Sequence, residues 1–488
     1  MRTEVYRRLR GGVAFRSSRF KRGLQLAYLL IGVLVAVLLL VLLLSNRVMA
    51  TLAGGGRSKR DGGWSSSRYI PFPASKLPAA NVPIGVATIF VSIASFRDVE
   101  CLTTVESLLT QANNSHRIFL GISEERFGHE PSCVNAPLIF KAIGIERNRT
   151  LRWRDVVPSA FVERSKKHPP PPMPILHAGR DTDLLTCYVS KSATMLHEGK
   201  QVGALKGCQI VTRVGDPDDA RGPTYGRYLT SVMYTGQDYY LVVDSHTRVV
   251  PDWDSKMIRF ARLMPTRGVL SHYPNGYTPQ DPDKELSKDD IMSMCTGVIP
   301  PTNIPKLGAQ WVKKRDHPFL QSFVAAGFIF GDAQFVKDVP FDPYLPYLFE
   351  GEEILYTTRL WTSGWDSYCP GDAFLYHNYD RPKAPRFWSV VYNSKMKEQR
   401  MYEERIASMR VLYLTRRHKL NSTVLEVSHA DAHKTHPAVG YEEERFGMGH
   451  LRPIHEYWKF AELSDEFTVA KDNEGRWTGG RGLCNRAV

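Results

Sequence analysis

The chain has 488 residues, and 43% of them are hydrophobic, which is enough to bury a core over most of its length. Residues 1–60 carry twelve Lys and Arg against one acid, so they hold +11 of the formal net charge of +14. The rest of the chain is close to neutral. Because the basic residues belong to a tail and not to a folded surface, the composition argues against a nucleic-acid-binding protein.

The first predicted element is a membrane-spanning helix at residues 24–44, an uncharged apolar stretch. At 1.5 Å per residue it is long enough to cross a hydrocarbon core of about 30 Å. Lys and Arg are dense before it and sparse after it, so the positive-inside rule predicts a cytosolic tail and a luminal main part. The alternative is a cleaved signal peptide, whose apolar region would be shorter, about 7 to 15 residues. The pattern therefore favours a single-pass type II anchor.

All seven cysteines follow the predicted anchor, on the side where disulfides persist. Their odd number leaves at least one outside an intramolecular disulfide, and their irregular spacing without C-x-x-C argues against a zinc site. The pairing cannot be derived from the sequence. Sequons at Asn113, Asn148 and Asn421 are candidate glycosylation sites if this topology holds.

Residues 45–83 are rich in Gly, Ser and Pro and lack periodicity, which predicts a flexible stem. A β-rich run at 86–94, a helix at Cys101–Ala112 and a strand at Arg117–Ile122 then form a βαβ unit, so we expect an α/β sheet. The Pro-rich stretch 164–174 is predicted to be a loop. Five further elements are predicted downstream: a helix at Tyr225–Tyr234, a strand at Asp238–Val243, a strand or turn at Phe323–Gly331, a helix at Phe349–Trp361 and one long helix from Trp388 to about Leu414.

The strand before Asp244 runs directly into the polar triplet Asp244-Ser245-His246. Residues i and i+2 of an extended segment point to the same side, so Asp244 and His246 can face one metal ion. An Asp oxygen and an imidazole nitrogen suit a divalent cation such as Mn²⁺, which can neutralise the two phosphates of a nucleotide-diphosphate leaving group. The D-x-D motif of nucleotide-sugar transferases has this role. The alternative is an ordinary strand end at which Asp244 caps a turn.

Two more groups of polar residues stand at the ends of predicted elements. Ser95, Arg97 and Asp98 close the first strand, at the edge of an α/β sheet where ligands bind, and are candidates for holding the uridine or diphosphate of a donor. Gly222 begins a helix that carries Arg227, whose guanidinium can reach a donor phosphate or sugar. The structural alternatives are exposed arginines and an N-cap aspartate.

Glu352 and Glu353 belong to an acidic cluster at the start of a predicted helix. They are candidates for binding sugar hydroxyls or for general acid/base catalysis, and the alternative is an acidic helix start favoured by the helix dipole. His377 follows an apolar strand; it becomes a third ligand if Asp244 and His246 bind a metal, although a lone histidine there is more often structural. Three aromatic residues nearby can stack on a sugar or belong to the core: Tyr379, Phe387 and Trp388.

Taken in order, these segments resemble a family of GlcNAc-transferases. It includes the cytoplasmic enzyme that modifies hydroxyproline on a ubiquitin-ligase subunit and the Golgi polypeptide α-N-acetylglucosaminyltransferases of protists. The resemblance covers about Ile89 to Trp388. It rests on six stretches: Ile89–Asp98, Gly222-Pro223 with Arg227, Tyr239–Trp253, Ser271–Pro274, Ala325–Phe328 and Phe341–His377.

The resemblance implies a GT-A-like fold with a Rossmann-related mixed sheet, UDP-GlcNAc as donor, a divalent cation, and transfer with retention to a Thr, Ser or hydroxyproline hydroxyl. The anchor and stem are absent from the cytoplasmic relative and fit the secretory branch. The sequence departs from the family between Cys133 and Cys208, which is long and interrupted by prolines, and it matches only loosely after about Ile406.

Together these inferences predict a Golgi-membrane glycosyltransferase that initiates mucin-type O-glycosylation. Five regions are expected: a cytosolic tail (1–23), the anchor (24–44), the stem (45–83), a GT-A-like α/β catalytic domain (84–415) and a C-terminal extension packed on it (416–488). The expected partners are a nucleotide sugar and a Thr/Ser-rich acceptor polypeptide.

The predicted roles are divided as follows. The Mn²⁺ ligands are Asp244, His246 and His377. The donor-binding residues are Ser95, Arg97, Asp98, Gly222, Arg227 and Asp244. Asp244, Glu352 and Glu353 are the catalytic candidates. Two alternative functions are a catalytically silent sugar-binding scaffold of the Golgi, against which the intact polar motifs argue, and a luminal metallohydrolase, which would need a second cluster of metal ligands.

Overall fold

The computed structural model describes residues 73–135, 137–156, 184–196, 203–278, 289–300, 302–381, 384–392, 395–417, 436–463, 470–471, 477–479 and 484. The predicted tail, the anchor at 24–44, most of the stem, the loop at 164–174 and the sequon at Asn421 lie outside these ranges. Within them, no helix combines the length and the apolar character needed to cross a bilayer.

The described residues form seventeen strands and twelve α-helices. The strands are β1 (Ile89–Phe96), β2 (Ile118–Glu125), β3 (Ile145–Arg152), β4 (Leu184–Ser190), β5 (Cys208–Gly215), β6 (Tyr239–Asp244), β7 (Thr247–Val249), β8 (Gly268–Leu270), β9 (Asn275–Gly276), β10 (Asp290–Ile299), β11 (Lys306–Lys313), β12 (Phe319–Gln321), β13 (Phe328–Asp332), β14 (Asp366–Cys369), β15 (Leu375–His377), β16 (Ala470–Lys471) and β17 (Trp477–Gly479). The helices are α1 (Cys101–Thr110), α2 (Pro137–Ile143), α3 (Trp153–Val156), α4 (Lys191–Leu196), α5 (Pro223–Ser231), α6 (Trp253–Leu263), α7 (Gln334–Asp338), α8 (Glu352–Thr362), α9 (Phe387–Tyr392), α10 (Lys397–Leu414), α11 (Glu443–Phe446) and α12 (Ile454–Phe460).

The largest sheet has ten strands in the order β12-β14-β8-β13-β6-β1-β2-β5-β4-β3. Its centre, β5-β2-β1-β6, is parallel, while β13 pairs antiparallel with β6, and β4 pairs antiparallel with β5. This confirms the predicted mixed α/β architecture. A three-stranded sheet, β7-β15-β9, and a four-stranded sheet, β11-β10-β17-β16, complete the described part.

The core lies on both faces of the central strands. Along β1, Phe90 packs in the cluster that contains Leu229 of α5, whereas Val91 and Ile93 belong to the opposite cluster, with Leu108 of α1. Alternation along a strand sends successive side chains to opposite faces, and helices cover both faces of a parallel sheet. This explains why the sequence of β1 is an almost continuous apolar run.

Most of the predicted elements are present with shifted ends, but the helix predicted from Trp388 to Leu414 is wrong. The structure has two helices in this region, α9 and α10, and Met396 is the N-cap residue of the second. The sequence between them has an Asn and a Ser at 393 and 394, residue types with low helix propensity, which is consistent with two helices and not one.

Both ends of the described part pack against the body of the fold. Ala79, within the range predicted as stem, is buried and donates its backbone N–H to Asp332 at 2.8 Å. At the other end, the indole of Trp361 in α8 lies 5.6 Å from the ring of Tyr457 in α12. Arg410 of α10 forms a fully buried ion pair with Asp342 at 2.7 Å.

Three disulfides cross-link the chain, between Cys101 and Cys133, Cys187 and Cys208, and Cys295 and Cys484. The cysteine outside these pairs is Cys369, which is buried in β14. The Cys101–Cys133 bond joins the first residue of α1 to the segment that follows β2. Helix α1 and the segment that contains Cys133 both follow the carboxyl ends of parallel strands, β1 and β2.

Candidate active site

A cleft of about 660 Å³ opens where the central parallel strands end. In the register of the sheet, Phe96 of β1 lies beside Glu125 of β2, and Ala94 lies beside Asp244, the last residue of β6. Parallel strands therefore deliver their carboxyl ends to one edge, which is where α/β sheets bind ligands. All four of these residues line the cleft.

Asp244, His246 and His377 converge in this cleft. After Asp244 the chain turns through Ser245 and His246 into β7, which pairs antiparallel with β15 so that His377 lies opposite Thr247. The two imidazole rings are 4.4 Å apart, and one ligand atom from each of Asp244, His246 and His377 lies within 4.8 Å of the others. The structure thus brings together the three residues predicted as metal ligands.

The pKa shifts of Asp244 and His377 suit metal binding. Burial by itself raises the pKa of Asp244, but the hydrogen bond with His377 and the charge of Arg227 outweigh burial and hold that pKa well below its usual range. Burial lowers the pKa of His377, which keeps its imidazole neutral. The buried Nδ1 of His377 has no hydrogen-bond partner among the described residues. Carboxylate oxygens and imidazole nitrogens are ligands that bind divalent cations, so the three side chains fit one.

The donor-binding candidates at the end of β1 take different places. Ser95 and Asp98 both line the cleft, and the largely buried carboxylate of Asp98 accepts a hydrogen bond from Nδ1 of His246 at 2.6 Å. Burial raises the pKa of Asp98, but this hydrogen bond and the neighbouring charges lower it overall. Arg97 has a left-handed backbone (φ 47°) and is outside the cleft lining, because its guanidinium pairs with Glu130 at 2.7 Å.

Arg227 is buried between two carboxylates. Gly222, whose φ of +92° favours glycine, precedes α5 and lines the cleft, and Arg227 follows about one turn into the helix. Its Nη1 donates to both oxygens of Glu352 at 2.7 and 2.8 Å, and its Nη2 donates to Asp244 at 2.9 Å. Burial alone lowers the pKa of Arg227, but the two carboxylates raise it, so the guanidinium stays charged. Arg227 therefore fixes the orientation of Asp244.

Glu352 and Glu353 begin α8, directly after Gly351, and both face the cleft. Glu353 accepts hydrogen bonds from the hydroxyl of Tyr273 at 2.8 Å and from the backbone N–H of Ala326 at 2.9 Å. Burial raises the pKa of Glu353 to about 7, and the neighbouring charge of Glu352 acts in the same direction. A carboxyl group with this pKa can donate or accept a proton near neutral pH.

Several lining residues were not predicted from the sequence. Tyr273 and Gly327 lie in stretches that carry the family resemblance, but neither had an assigned role. A Cβ at Gly327 would lie 2.6 Å from an oxygen of Asp244, so only glycine leaves room for that carboxylate. Arg381 donates to Asp98 at 3.0 Å, and nothing in its sequence context marked it.

The three aromatic candidates also divide. Tyr379 is half exposed, and its ring lies 4.2 Å from that of His377. Trp388 packs against the exposed Phe349 at the lining of the cleft, with 5.3 Å between ring centroids. Phe387 is 8% exposed and stacks on buried Tyr347, so it also belongs to the core.

The fold and the site define a mixed α/β protein with an Asp/His/His group in an open cleft at the carboxyl edge of its parallel strands. A sequence model of the family described as Glycosyltransferase (GlcNAc) matches residues 88–467, which contain every residue of the site. The chain therefore belongs to this glycosyltransferase family. A comparison with curated proteins gives no significant match.

Solved structures with some similarity include glycosyltransferase complexes. GalNAc-T7 with UDP, GalNAc and Mn²⁺ is 11% identical, with a TM-score of 0.42 over 79% of this chain and 59% of that chain. TarS 1–349 of S. aureus with UDP-GlcNAc is 10% identical, with a TM-score of 0.32 over 79% of this chain and 77% of that chain. The mannosyltransferase PcManGT of Pyrobaculum calidifontis with GDP-Man and Mn²⁺ is 8% identical, with a TM-score of 0.31 over 78% of this chain and 82% of that chain. The match thus spans less than two thirds of the GalNAc-T7 chain. Since all three TM-scores are below 0.5, the family membership rests on the sequence match alone.

Proposed function

We propose that this glycosyltransferase is a metal-dependent, retaining enzyme that transfers N-acetylglucosamine from UDP-GlcNAc to a hydroxyl of Thr, Ser or hydroxyproline in a polypeptide. The observation that carries the proposal is the convergence of Asp244, His246 and His377 in the cleft of a chain that belongs to the GlcNAc glycosyltransferase family. The donor, the acceptor and the retention of configuration follow from the family resemblance and are the parts to be tested.

In this proposal Asp244, His246 and His377 hold a divalent cation such as Mn²⁺. When bound, the cation supplies positive charge that stabilises the diphosphate leaving group of the donor. The chain's own residues orient the reactants: Arg227 fixes the Asp244 carboxylate, and Ser95 and Gly222 line the part of the cleft next to the ends of the strands.

Glu352 and Glu353 line the cleft, and in the proposal they face the transferred sugar or the acceptor. Glu353 is held by two hydrogen bonds and has a pKa of about 7, so it can exchange a proton with a sugar or acceptor hydroxyl in a weakly acidic compartment. The exposed ring of Phe349 beside Trp388 offers an apolar surface at the same cleft for the acceptor chain.

We further propose that the enzyme is a type II protein of the Golgi membrane that initiates mucin-type O-glycosylation on Thr/Ser-rich proteins. The apolar stretch at 24–44 and the basic residues before it support the anchor and its orientation. The three disulfides support an oxidising compartment.

The test incubates the full-length protein with UDP-GlcNAc, Mn²⁺ and a Thr-rich peptide, and follows both UDP release and peptide mass. The proposal predicts that the peptide gains one N-acetylhexosamine and that the Asp244→Ala variant gives no product. Release of UDP without a change in peptide mass would contradict the proposed acceptor. Binding of UDP without turnover of any UDP-sugar would overturn the proposal in favour of a silent sugar-binding scaffold.

A further inference from the structure

We infer that the segment entering α1 is a clamp for the metal-facing histidines, in which Asp98 orients His246 and Glu100 orients the strand end that carries His377. Both are positioning residues, since they act through other residues. The inference rests on the metal site of the proposed function and adds residues to which neither the sequence pattern nor the family match assigns this role.

Asp98 determines which nitrogen of His246 faces the cleft. Its side chain is 2% exposed, and one of its oxygens accepts three hydrogen bonds, from Nδ1 of His246 at 2.6 Å, from Oγ of Ser245 at 2.7 Å and from Arg381 at 3.0 Å. A carboxylate that receives three donors acts only as an acceptor, so Nδ1 of His246 carries the proton. The lone pair of the ring is then on Nε2. Carboxylate–histidine pairs of this kind orient metal-binding imidazoles in proteins.

Glu100, two residues later, holds the other histidine-bearing segment. Its carboxylate accepts hydrogen bonds from the side-chain amide of Asn378, the residue after His377, and from the hydroxyl of Tyr277 at 2.6 Å. Asn378 and Tyr277 also bind the two histidines through their backbones. The N–H of Asn378 donates to the carbonyl of His246 at 3.1 Å, and the N–H of Tyr277 donates to the carbonyl of His377 at 3.1 Å. The strand end therefore cannot move without breaking contacts to Glu100.

Helix α1 contacts the turn of the metal-facing residues a third time. The hydroxyl of Thr104 donates to the carbonyl of Ser245 at 2.7 Å and accepts the backbone N–H of Thr247 at 3.0 Å. The two side-chain carboxylates and this buried hydroxyl thus hold both sides of the His246 turn, and Cys101 ties the same helical turn to Cys133. Such a rigid support explains how two histidines about 130 residues apart in sequence share one site.

The test measures the affinity of the full-length protein for Mn²⁺, from the electron paramagnetic resonance signal of the free ion. The Asp98→Asn variant is expected to bind Mn²⁺ about 10- to 100-fold more weakly, and the Glu100→Gln variant about 10-fold more weakly, as found for residues that support metal ligands. The matched control is Asp366→Asn, which also removes a largely covered carboxylate paired with an arginine, Arg452 at 2.5 Å, but lies outside the cleft. Its affinity should equal that of the wild type.

Unfolding temperatures measured without metal distinguish a role of Asp98 in the stability of the fold from a role in orienting the metal ligands. If Asp98→Asn lowers the unfolding temperature as Asp366→Asn does but leaves the Mn²⁺ affinity unchanged, the inference is wrong. The His246→Ala variant tests the underlying site: if it binds Mn²⁺ like the wild type, the proposed metal site itself fails. If His246→Ala loses Mn²⁺ binding while Asp98→Asn and Glu100→Gln bind Mn²⁺ like the wild type, the proposed metal site stands and the positioning role of Asp98 and Glu100 is refuted.

Discussion

Replacing Glu353 with glutamine should change how the stability of the protein depends on pH. Burial raises the pKa of this carboxyl from an ordinary value of 4.5 to about 7. Between these values the unfolded chain has lost the proton while the folded protein keeps it, so the free energy of unfolding falls as pH rises through this interval. At about 1.4 kcal/mol per pKa unit, the loss amounts to about 3 kcal/mol above pH 7.

The glutamine fits the same contacts, because its oxygen can accept the N–H of Ala326 and its NH₂ can donate to the hydroxyl of Tyr273. The assay is urea unfolding in EDTA, followed by tryptophan fluorescence at pH 4.5 and at pH 8. The difference in unfolding free energy between Glu353→Gln and the wild type should be about 3 kcal/mol larger, in favour of the variant, at pH 8 than at pH 4.5. Equal differences in unfolding free energy at the two pH values would refute the raised pKa of Glu353.

Three further predictions concern the support of the site. The Arg227→Ala variant leaves the buried carboxylate of Glu352 without its ion-pair partner and removes one partner of Asp244. Its unfolding free energy, measured by urea denaturation, should therefore fall by about 3 to 5 kcal/mol, and an unchanged value would contradict the ion-pair geometry. Replacing Cys101 and Cys133 with serines removes one disulfide and should lower the unfolding free energy by about 3 to 4 kcal/mol. The control is the reduced wild type, which lacks all three disulfides, and the loss in the variant should not exceed the loss in this control. Gly327→Ala should reduce transfer activity about 100-fold by displacing the Asp244 carboxylate, whereas Gly276→Ala, whose Cβ has an ordinary 3.6 Å contact, should keep it.

The parts of the fold that follow from local patterns were predictable. The apolar run of β1, the helical spacing of α1 and the strand that ends at Asp244 each have a clear sequence period, and each is present in the structure. The boundary between α9 and α10 was missed, because the low helix propensity of two polar residues is a weaker signal than the amphipathic pattern on which the prediction of one helix was based. The order of strands in the sheet depends on contacts between distant residues, which no local period encodes.

The site shows the same division. Asp244 and His246 share one side of an extended segment, so their proximity follows from strand geometry. The approach of His377 requires the pairing of β7 with β15, which the motif alone does not indicate. Arg97 and Asp98 could not be distinguished from the sequence: Arg97 has a left-handed backbone and pairs with Glu130 outside the cleft lining, whereas Asp98 lines the cleft. Such a choice between neighbours is decided by tertiary contacts.

The central claim is that Asp244, His246 and His377 form one divalent-cation site that serves a nucleotide diphosphate. The most direct measurement is the affinity of the full-length protein for UDP by titration calorimetry, with Mn²⁺ and with EDTA. The account predicts that Mn²⁺ strengthens UDP binding at least about tenfold in the wild type and has no effect in the His377→Ala variant. Equal affinity for UDP in Mn²⁺ and in EDTA would contradict it.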